Sequence, residues 1–179
     1  AEQMFGAEGT AAFLPGHPMA GKERGGPELA EAGLFRGAMW LFTAASKVEE
    51  TVAASDWRLW VERMGARTMD LDPARHDELC AWVSHLPQML STAFAALLEQ
   101  RFGEAPEIAA IGGRALRETT RLGASPYSMW RDVAMTNTEP LAEVLHLLEQ
   151  ELAHVRENLR TPELREEFER ANRFRAKGL

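Results

Sequence analysis

The segment from Asp72 to Gly103 constrains the fold most, because its pattern is that of one long apolar helix. Asp72 is a favourable N-cap, Pro73 is a favourable first helical residue, and Gly103 is a favourable left-handed stop. Between these ends, apolar residues recur at intervals of three and four, which is the spacing of one helical face. They are Leu79, Trp82, Val83, Leu86, Leu90, Ala93, Phe94 and Leu97. The segment therefore predicts a central buried helix, about 45 Å long, in a helical domain.

The tetrapeptide Ser84-His85-Leu86-Pro87 lies in the middle of this predicted helix. Pro87 removes a backbone donor there and should bend the helix. A Ser-His pair on a bent helix is either part of a functional site or a satisfied histidine in a kinked core helix. Both interpretations stay open at this point.

The N-terminal part predicts a piece of an α/β layer. Ala11 to Leu14 is a short apolar run that predicts a strand, and it leads into a loop, Pro15 to Gly21, rich in glycine and proline. His17 lies between Gly16 and Pro18, so we expect an extended backbone and a displayed imidazole there. Functional groups of α/β folds often follow the carboxyl ends of strands, which makes His17 a candidate.

The next stretch predicts a strand, a helix and a second strand. Met39 to Thr43 is a buried strand, Ser46 and Glu49 form a capping box, Gly65 ends the helix, and Arg67 to Leu71 is the second strand. This order indicates a βαβ unit with parallel strands. The unit is only part of a domain, and no G-x-G-x-x-G or Walker sequence is present, so residues 1–72 resemble the end of a larger α/β domain. We expect a mainly α protein, with a helical domain at residues 73–179 and a partial α/β segment before it.

Three arginines, Arg114, Arg117 and Arg121, fall at intervals of three and four and would stack on one helical face. Such a face suits an anionic ligand, since the guanidinium fork matches a carboxylate. The alternative is a solvated face whose arginines pair with Glu118 and a neighbouring helix. The net charge of -7 argues against nucleic acid as a partner, so an anionic substrate would need arginines gathered locally.

A leucine seam in the C-terminal region repeats every three and four residues and could pack within the domain or against a second copy. Its members are Leu141, Leu145, Leu148, Leu152, Val155 and Leu159. No apolar run has the length of a membrane span, and the single cysteine, Cys80, excludes an internal disulfide and fits the cytoplasm.

We predict no metal site from the histidine spacing along the helices. His76 and His85 are nine residues apart and would lie on opposite faces of one helix, and His146 and His154 are eight apart, too far along the axis for one ion.

Several motifs in this order resemble the prephenate dehydrogenases of tyrosine biosynthesis. The matching segments are His17-Pro18-Met19-Ala20-Gly21, Leu34-Phe35 through Trp40, His76-Asp77, Ser84-His85-Leu86-Pro87, Arg117-Glu118-Thr119-Thr120-Arg121, Met129-Trp130-Arg131-Asp132 and Asn137. The resemblance implies the end of a Rossmann domain followed by a helical domain that forms a homodimer. It also implies NAD(P)-dependent oxidative decarboxylation of prephenate to 4-hydroxyphenylpyruvate, and tyrosine as a feedback inhibitor.

The resemblance implies a role for four residues. His17 corresponds to the catalytic base, His85 to a substrate-binding histidine, Arg121 to the arginine that grips a substrate carboxylate, and Arg117 to a weaker candidate for substrate binding. The absent nucleotide fingerprint leads us to expect NAD or NADP only in a longer enzyme, with no cofactor and no activity for these 179 residues alone. The alternatives are an arogenate dehydrogenase fragment, or a stand-alone dimerisation or tyrosine-sensing module without catalysis.

Overall fold

The computed structural model describes residues 13–22, 26–43 and 51–178 of the chain. Within them, a small sheet precedes a series of helices. The sheet contains β1 (Gly16–Pro18), β2 (Met39–Phe42) and β3 (Arg67–Asp70) in the order β1-β2-β3. β1 runs antiparallel to β2, with His17 opposite Leu41, and β2 runs parallel to β3, with Leu41 opposite Met69.

The βαβ unit predicted from the sequence is confirmed. Helix α1 (Val52–Arg63) connects the parallel strands β2 and β3 and covers the sheet through Val61, which is fully buried with Phe42. The helix begins after Thr51, whose side chain accepts a hydrogen bond from the Ala54 amide, and it stops before Gly65 at φ +87°. The predicted capping box, Ser46 with Glu49, lies outside the described residues.

The described half of the predicted first strand is wrong. Phe13 and Leu14 form no strand, Ala11 and Ala12 lie outside the described residues, and β1 occupies Gly16–Pro18, inside the predicted loop. Pairing with β2 decides this, because an extended backbone beside an open strand edge gains ladder hydrogen bonds that composition alone does not reveal. Consequently His17 lies on an edge strand, and not in a loop that follows a strand.

Packing between Gly16 and Trp40 fixes the position of β1. An added Cβ at Gly16 would lie only 2.5 Å from Trp40 Nε1 and 3.3 Å from Phe42 Cε1. Trp40 also packs edge-on against Phe35 and Trp57, so its indole has little room to move. Glycine at position 16 therefore lets the edge strand, with His17, approach the sheet core closely.

The long helix predicted from Asp72 to Gly103 is confirmed at both ends, with one irregular turn inside it. Asp72 caps α2 (Pro73–Cys80) by accepting from the Ala74 and Arg75 amides. A π-helical turn at Ala81–His85 follows, and then comes α3 (Leu86–Phe102). Gly103 ends the helix at φ +53°.

The π turn ends at His85, two residues before Pro87, and the Leu86 amide donates to the Ala81 carbonyl. Pro87 lacks an amide hydrogen, so the backbone at this point cannot continue an unbroken ladder. Wide turns of this kind re-aim the side chains of the helix that contains them. His85 is the last residue of the turn, and its orientation therefore depends on it.

Short helices and a long one complete the described fold. They are α4 (Pro106–Ile111), α5 (Arg114–Thr120), a 3-10 turn at Arg121–Ala124, α6 (Tyr127–Thr136), α7 (Thr138–Glu157) and α8 (Glu163–Arg175). Another 3-10 turn, Pro27–Leu29, precedes β2. Gly112 and Gly113 separate α4 from α5.

The leucine seam follows α7, ends at Leu159 just beyond that helix, and divides into two parts. Leu141 and Val144 are buried against Ala81 of the π turn, with Leu145 packed around them. Leu152 and Leu159, farther along, are 54% and 60% exposed. The first half of the seam thus builds the domain core, and the second half remains on the surface of the chain. No helix in the described part combines the length and apolar character required to cross a bilayer.

Candidate functional site

Two histidines and the cysteine meet where the edge strand faces the long helix. His17, on β1, places its Nδ1 atom 2.9 Å from Nε2 of His76, on α2. Cys80 follows His76 by one helical turn, and its Sγ atom lies 3.5 Å from the same Nε2 and 3.8 Å from His17 Nδ1. The sheet and the helical region therefore share one polar cluster.

Hydrogen bonds determine which nitrogen of His17 carries its proton. His76 Nδ1 lies 2.8 Å from the Asp77 carboxylate, which can only accept, so His76 donates from Nδ1. In a neutral ring, Nε2 of His76 must then accept, and the donor is Nδ1–H of His17. Nε2 of His17 is left with a lone pair. His17 is thus set up as a proton acceptor.

His85 has the opposite arrangement. Asn137 donates from Nδ2 to the Asp77 carbonyl, 2.9 Å away, and the same nitrogen lies 3.1 Å from Nδ1 of His85. An amide nitrogen has only donors, so Nδ1 of His85 accepts and its proton resides on Nε2. Trp130 packs edge-on against the His85 ring, with centroids 5.9 Å apart. His85 is thus oriented to donate a hydrogen bond from Nε2.

Both histidines have a lowered pKa, which favours neutral rings. Burial is the main cause for His17, and the adjacent His76 lowers its pKa further. Burial is also the main cause for His85, whose pKa is lowered further by His17 and His76 and raised by Asp77. The influence of His17 on His85 indicates that the two rings share one electrostatic environment. The arrangement offers one neutral acceptor and one neutral donor.

The two candidate arginines lie in different surroundings. The turn that begins at Arg121 is tied to the first half of α3, because Gln88 Nε2 donates to the Leu122 carbonyl at 2.7 Å and the Gly123 amide donates to Ser91 Oγ at 2.9 Å. This places Arg121 on a segment anchored beside the helix that starts directly after His85.

Arg117 lines a separate hollow of about 470 Å³ together with Gly103. Gly103 is the far end of α3, about 25 Å from His85 along the helix axis. The structure therefore does not bring Arg117 to the histidine cluster.

The predicted face of stacked arginines is not formed as a single helix. Helix α5 ends at Thr120, and Arg121 belongs to the following 3-10 turn. Arg114 Nε lies 2.6 Å from Glu118 Oε1 on the exposed side of α5, as in the solvated alternative. The helix type changes after Thr120, so Arg121 lies in a different element from Arg114 and Arg117.

Trp130 lines a cavity of about 410 Å³. Its wall is mainly apolar and includes Met89, Ala134 and Met135, while Gln88 and Arg131 supply polar groups. Because Trp130 also contacts His85, the cavity adjoins the histidine site.

Sequence reasoning assigned no role to His76, Asp77, Cys80 or Asn137. The adjacent pair His76-Asp77 and the spacing of four between His76 and Cys80 were visible in the sequence. The missing information was that His17, 59 residues earlier than His76, completes the cluster. Histidine pairs along the helices, from which no metal site was predicted, do not include this set.

Two family models match the chain. The model described as "Prephenate dehydrogenase, nucleotide-binding domain" matches residues 2–70, and the one described as "Prephenate dehydrogenase, dimerization domain" matches residues 72–173.

Curated proteins of known name resemble the chain as well. It is 27% identical over 156 residues to the prephenate dehydrogenase of Lactococcus lactis, which covers 87% of this chain and 41% of that protein. It is 24% identical over 131 residues to the prephenate dehydrogenase of Bacillus subtilis, covering 73% of this chain and 35% of that protein. A cyclohexadienyl dehydrogenase of Zymomonas mobilis is 27% identical over 135 residues, covering 74% and 45%. The chain spans less than half of the length of each of these relatives.

Solved structures share the fold. The prephenate dehydrogenase from A. aeolicus in complex with hydroxyphenyl propionate and NAD+ matches with a TM-score of 0.82 and 25% identity, covering 98% of this chain and 61% of that one. The arogenate dehydrogenase of Synechocystis matches with a TM-score of 0.77 and 26% identity, covering 94% and 62%.

Proposed function

Because this chain belongs to the prephenate dehydrogenase family, we propose that it supplies the substrate-binding part of an NAD(P)-dependent enzyme that oxidatively decarboxylates prephenate. One observation carries the proposal. The Asp77–His76–His17 chain of hydrogen bonds leaves the Nε2 lone pair of His17 available to a substrate hydroxyl. The boundary near residue 72 divides the proposed nucleotide-domain segment from the helical segment.

His17 would act as the base. In prephenate, removal of the proton from the ring hydroxyl accompanies departure of hydride from the same carbon, and loss of CO2 leaves an aromatic ring. A neutral imidazole with a lone pair on Nε2 suits this proton transfer, because the ordinary pKa of an imidazole lies near neutral pH. Asp77 and His76 act through His17 and are positioning residues.

His85 and Arg121 would bind the substrate. His85 presents an Nε2–H donor, which suits a carboxylate or hydroxyl oxygen of the substrate. Arg121 would pair with a carboxylate, as its family motif implies. Arg117 is the weaker candidate, since its hollow lies at the far end of α3.

The cofactor would be NAD or NADP, which accepts the hydride when bound. The described residues give no reason to assign any of them to this nucleotide, because the glycine-rich fingerprint is absent from the sequence. The parallel pair β2 and β3 with its helical crossover fits the matched nucleotide-binding family model. We therefore assign to this chain the base and the substrate groups only.

The helical segment would also form a homodimer. A hollow of about 700 Å³ on the chain surface is lined by apolar residues of three helical segments. Phe168 and Phe174 on α8 are 65% and 57% exposed there, and Trp82 is 43% exposed. Exposed apolar patches of this kind mark interfaces, and the family model for this region is described as a dimerization domain.

The function is tested by following NAD(P)H formation in a full-length protein that contains this chain, with prephenate and arogenate offered separately. Activity with prephenate that H17N lowers about 10²- to 10⁴-fold supports the proposal. H146N, which removes an exposed histidine of α7, is the control. Faster turnover of arogenate would favour the arogenate dehydrogenase alternative instead.

The stand-alone module is tested with the 179 residues alone. We expect them to form no NAD(P)H from prephenate, since the nucleotide fingerprint is absent. If the full-length protein that contains this chain is also inactive, and this chain binds tyrosine, the result would favour the sensing module.

A further inference from the structure

The cluster of His17, His76 and Cys80 has the composition of a metal site. One ligand atom from each of the three side chains lies within 4.8 Å of the other two. We propose that these side chains bind Zn²⁺, and that the bound ion prevents His17 from acting as a base. The inhibitory part of this proposal rests on the proposed function, whereas the binding part does not.

The distances fit tetrahedral zinc. Bonds of about 2.0–2.1 Å to nitrogen and about 2.3 Å to sulfur place two nitrogens about 3.4 Å apart and nitrogen and sulfur about 3.6 Å apart. In the cluster, the nitrogen–sulfur distances are 3.5 Å and 3.8 Å. The two nitrogens, 2.9 Å apart, need to separate by about half an ångström, which small ring rotations supply.

The elements around the cluster hold its ligands in place. His76 and Cys80 are four residues apart on α2, so both point from one helical face, the spacing that helical zinc motifs use. Asp77 accepts from the other nitrogen of His76 at 2.8 Å, as the outer carboxylate of a histidine–zinc pair does. His17 comes from β1, which the close packing of Gly16 and Trp40 fixes against the sheet.

The ligand chemistry favours zinc over harder cations. One thiolate and two imidazoles suit Zn²⁺, whereas Mg²⁺ and Ca²⁺ prefer oxygen ligands. Cys80 is only 2% exposed, and burial raises the pKa of its thiol, so the sulfur carries its proton until a metal displaces it to solvent. Three protein ligands leave a fourth position for water.

Metal binding changes which ring nitrogen of His17 carries the proton. Without an ion, Nδ1 carries the proton and Nε2 has the lone pair. A zinc ion at Nδ1 replaces the proton there and binds the Nδ1 lone pair, so the neutral ring must carry its proton on Nε2. The ring then has no acceptor to offer a substrate hydroxyl. Zinc would thus inhibit the enzyme by fixing the wrong tautomer of its base.

Binding is tested on the 179-residue chain, reduced and freed of metal with a chelator. Cobalt(II) should produce a thiolate-to-metal charge-transfer band, which can arise only from Cys80 because it is the single cysteine. Zinc should remove the band with a stoichiometry of one ion per chain. Absence of the band at saturating cobalt(II) would overturn the proposal.

Three variants identify the ligands, and zinc affinity is measured by competition with a chromophoric chelator. C80S, H76Q and H17Q should each weaken binding at least about tenfold, while H146Q should bind as the unsubstituted chain does. H17Q alters an edge strand and leaves the helical core intact, so it remains informative if H76Q fails to fold. Zinc binding that H17Q leaves unchanged would contradict the site, because it would exclude the strand ligand.

The inhibitory part is tested on the full-length enzyme. Zinc should lower its rate, and the zinc concentration required should rise at least about tenfold in C80S, each protein being compared with its own rate without zinc. Zinc binding without inhibition would refute the inhibitory part alone. An inactive enzyme whose 179-residue part still binds zinc would refute the proposed function and leave the metal site intact.

Discussion

The Nδ1 atom of His17 lies 2.9 Å from the Nε2 atom of His76, although the two residues are 59 positions apart in the chain. This contact joins the small sheet to the long helix. Asp77 is bonded to His76 and not to His17, yet it determines which nitrogen of His17 carries the proton. In a neutral imidazole one nitrogen donates and the other accepts, so fixing the proton of His76 also fixes that of His17.

The substitution D77N should alter the tautomer of His17. An amide can donate to His76 Nδ1 as well as accept from it, so the proton on His17 is no longer confined to Nδ1. In the full-length enzyme we expect kcat to fall about 10- to 100-fold with little change in KM. Nitrogen chemical shifts of the His17 ring, measured by NMR in the 179-residue chain, report the tautomer directly.

E78Q is the matched control for D77N. Glu78 is the next residue on α2 and pairs with Arg75 on the exposed side, so its neutralisation removes one carboxylate charge without touching His76. It should leave the His17 ring shifts as they are. An equal change in both variants would show that charge, and not the hydrogen bond, sets the state of His17.

Stability should decrease with acidity because His85 is buried as a neutral ring. Its pKa in the folded chain is below the ordinary value of 6.5, so below that pH the unfolded chain binds more protons than the folded one. The contribution is complete above the unfolded pKa and is lost as the pH falls toward the folded pKa. One such group adds a slope of at most about 1.4 kcal/mol per pH unit to the free energy of unfolding.

Urea unfolding of the 179-residue chain between about pH 7.5 and about pH 5.5 measures this slope. H85Q should reduce it, and H17Q should also reduce it, since burial lowers the pKa of His17 as well. H146Q controls for the loss of a histidine from an exposed position. A slope unchanged by both H85Q and H17Q would refute the neutral-histidine interpretation.

The substitution G16A should displace the edge strand. The added methyl group would lie 2.5 Å from Trp40 Nε1, so the strand or the indole must shift. We expect a loss of about 1–3 kcal/mol in the free energy of unfolding, measured by urea denaturation. G21A is the control, since an added Cβ at Gly21 meets nothing within 4 Å.

The two arginines should differ in their effect on substrate binding. R121Q should raise KM for prephenate at least about tenfold, because a charge-assisted bond to a carboxylate is lost. R117Q should change KM less, since Arg117 lines a hollow at the far end of α3 from His85. Steady-state kinetics of both variants of the full-length enzyme test this prediction. A larger increase in KM for R117Q than for R121Q would make Arg117 the arginine that binds the substrate carboxylate.

Local chemistry in the sequence determined the helical elements well. Asp72, Pro73 and Gly103 fix the ends of the long helix through capping and backbone preference, which depend on a few neighbouring residues. The parallel pair β2 and β3 followed in the same way from an apolar run, a helix and a second strand. His17 and His85 also emerged as site candidates from their motifs.

Tertiary structure alone decided how these elements meet. Composition placed the first strand at Ala11 to Leu14, yet the edge of β2 selects Gly16–Pro18, because ladder pairing depends on a distant partner. The leucine period could not reveal that Leu141 is buried while Leu159 is exposed, because a period defines one helical face but not the residues that pack against it. Likewise, the proton on His17 depends on His76 and Asp77, which only folding brings within hydrogen-bonding distance.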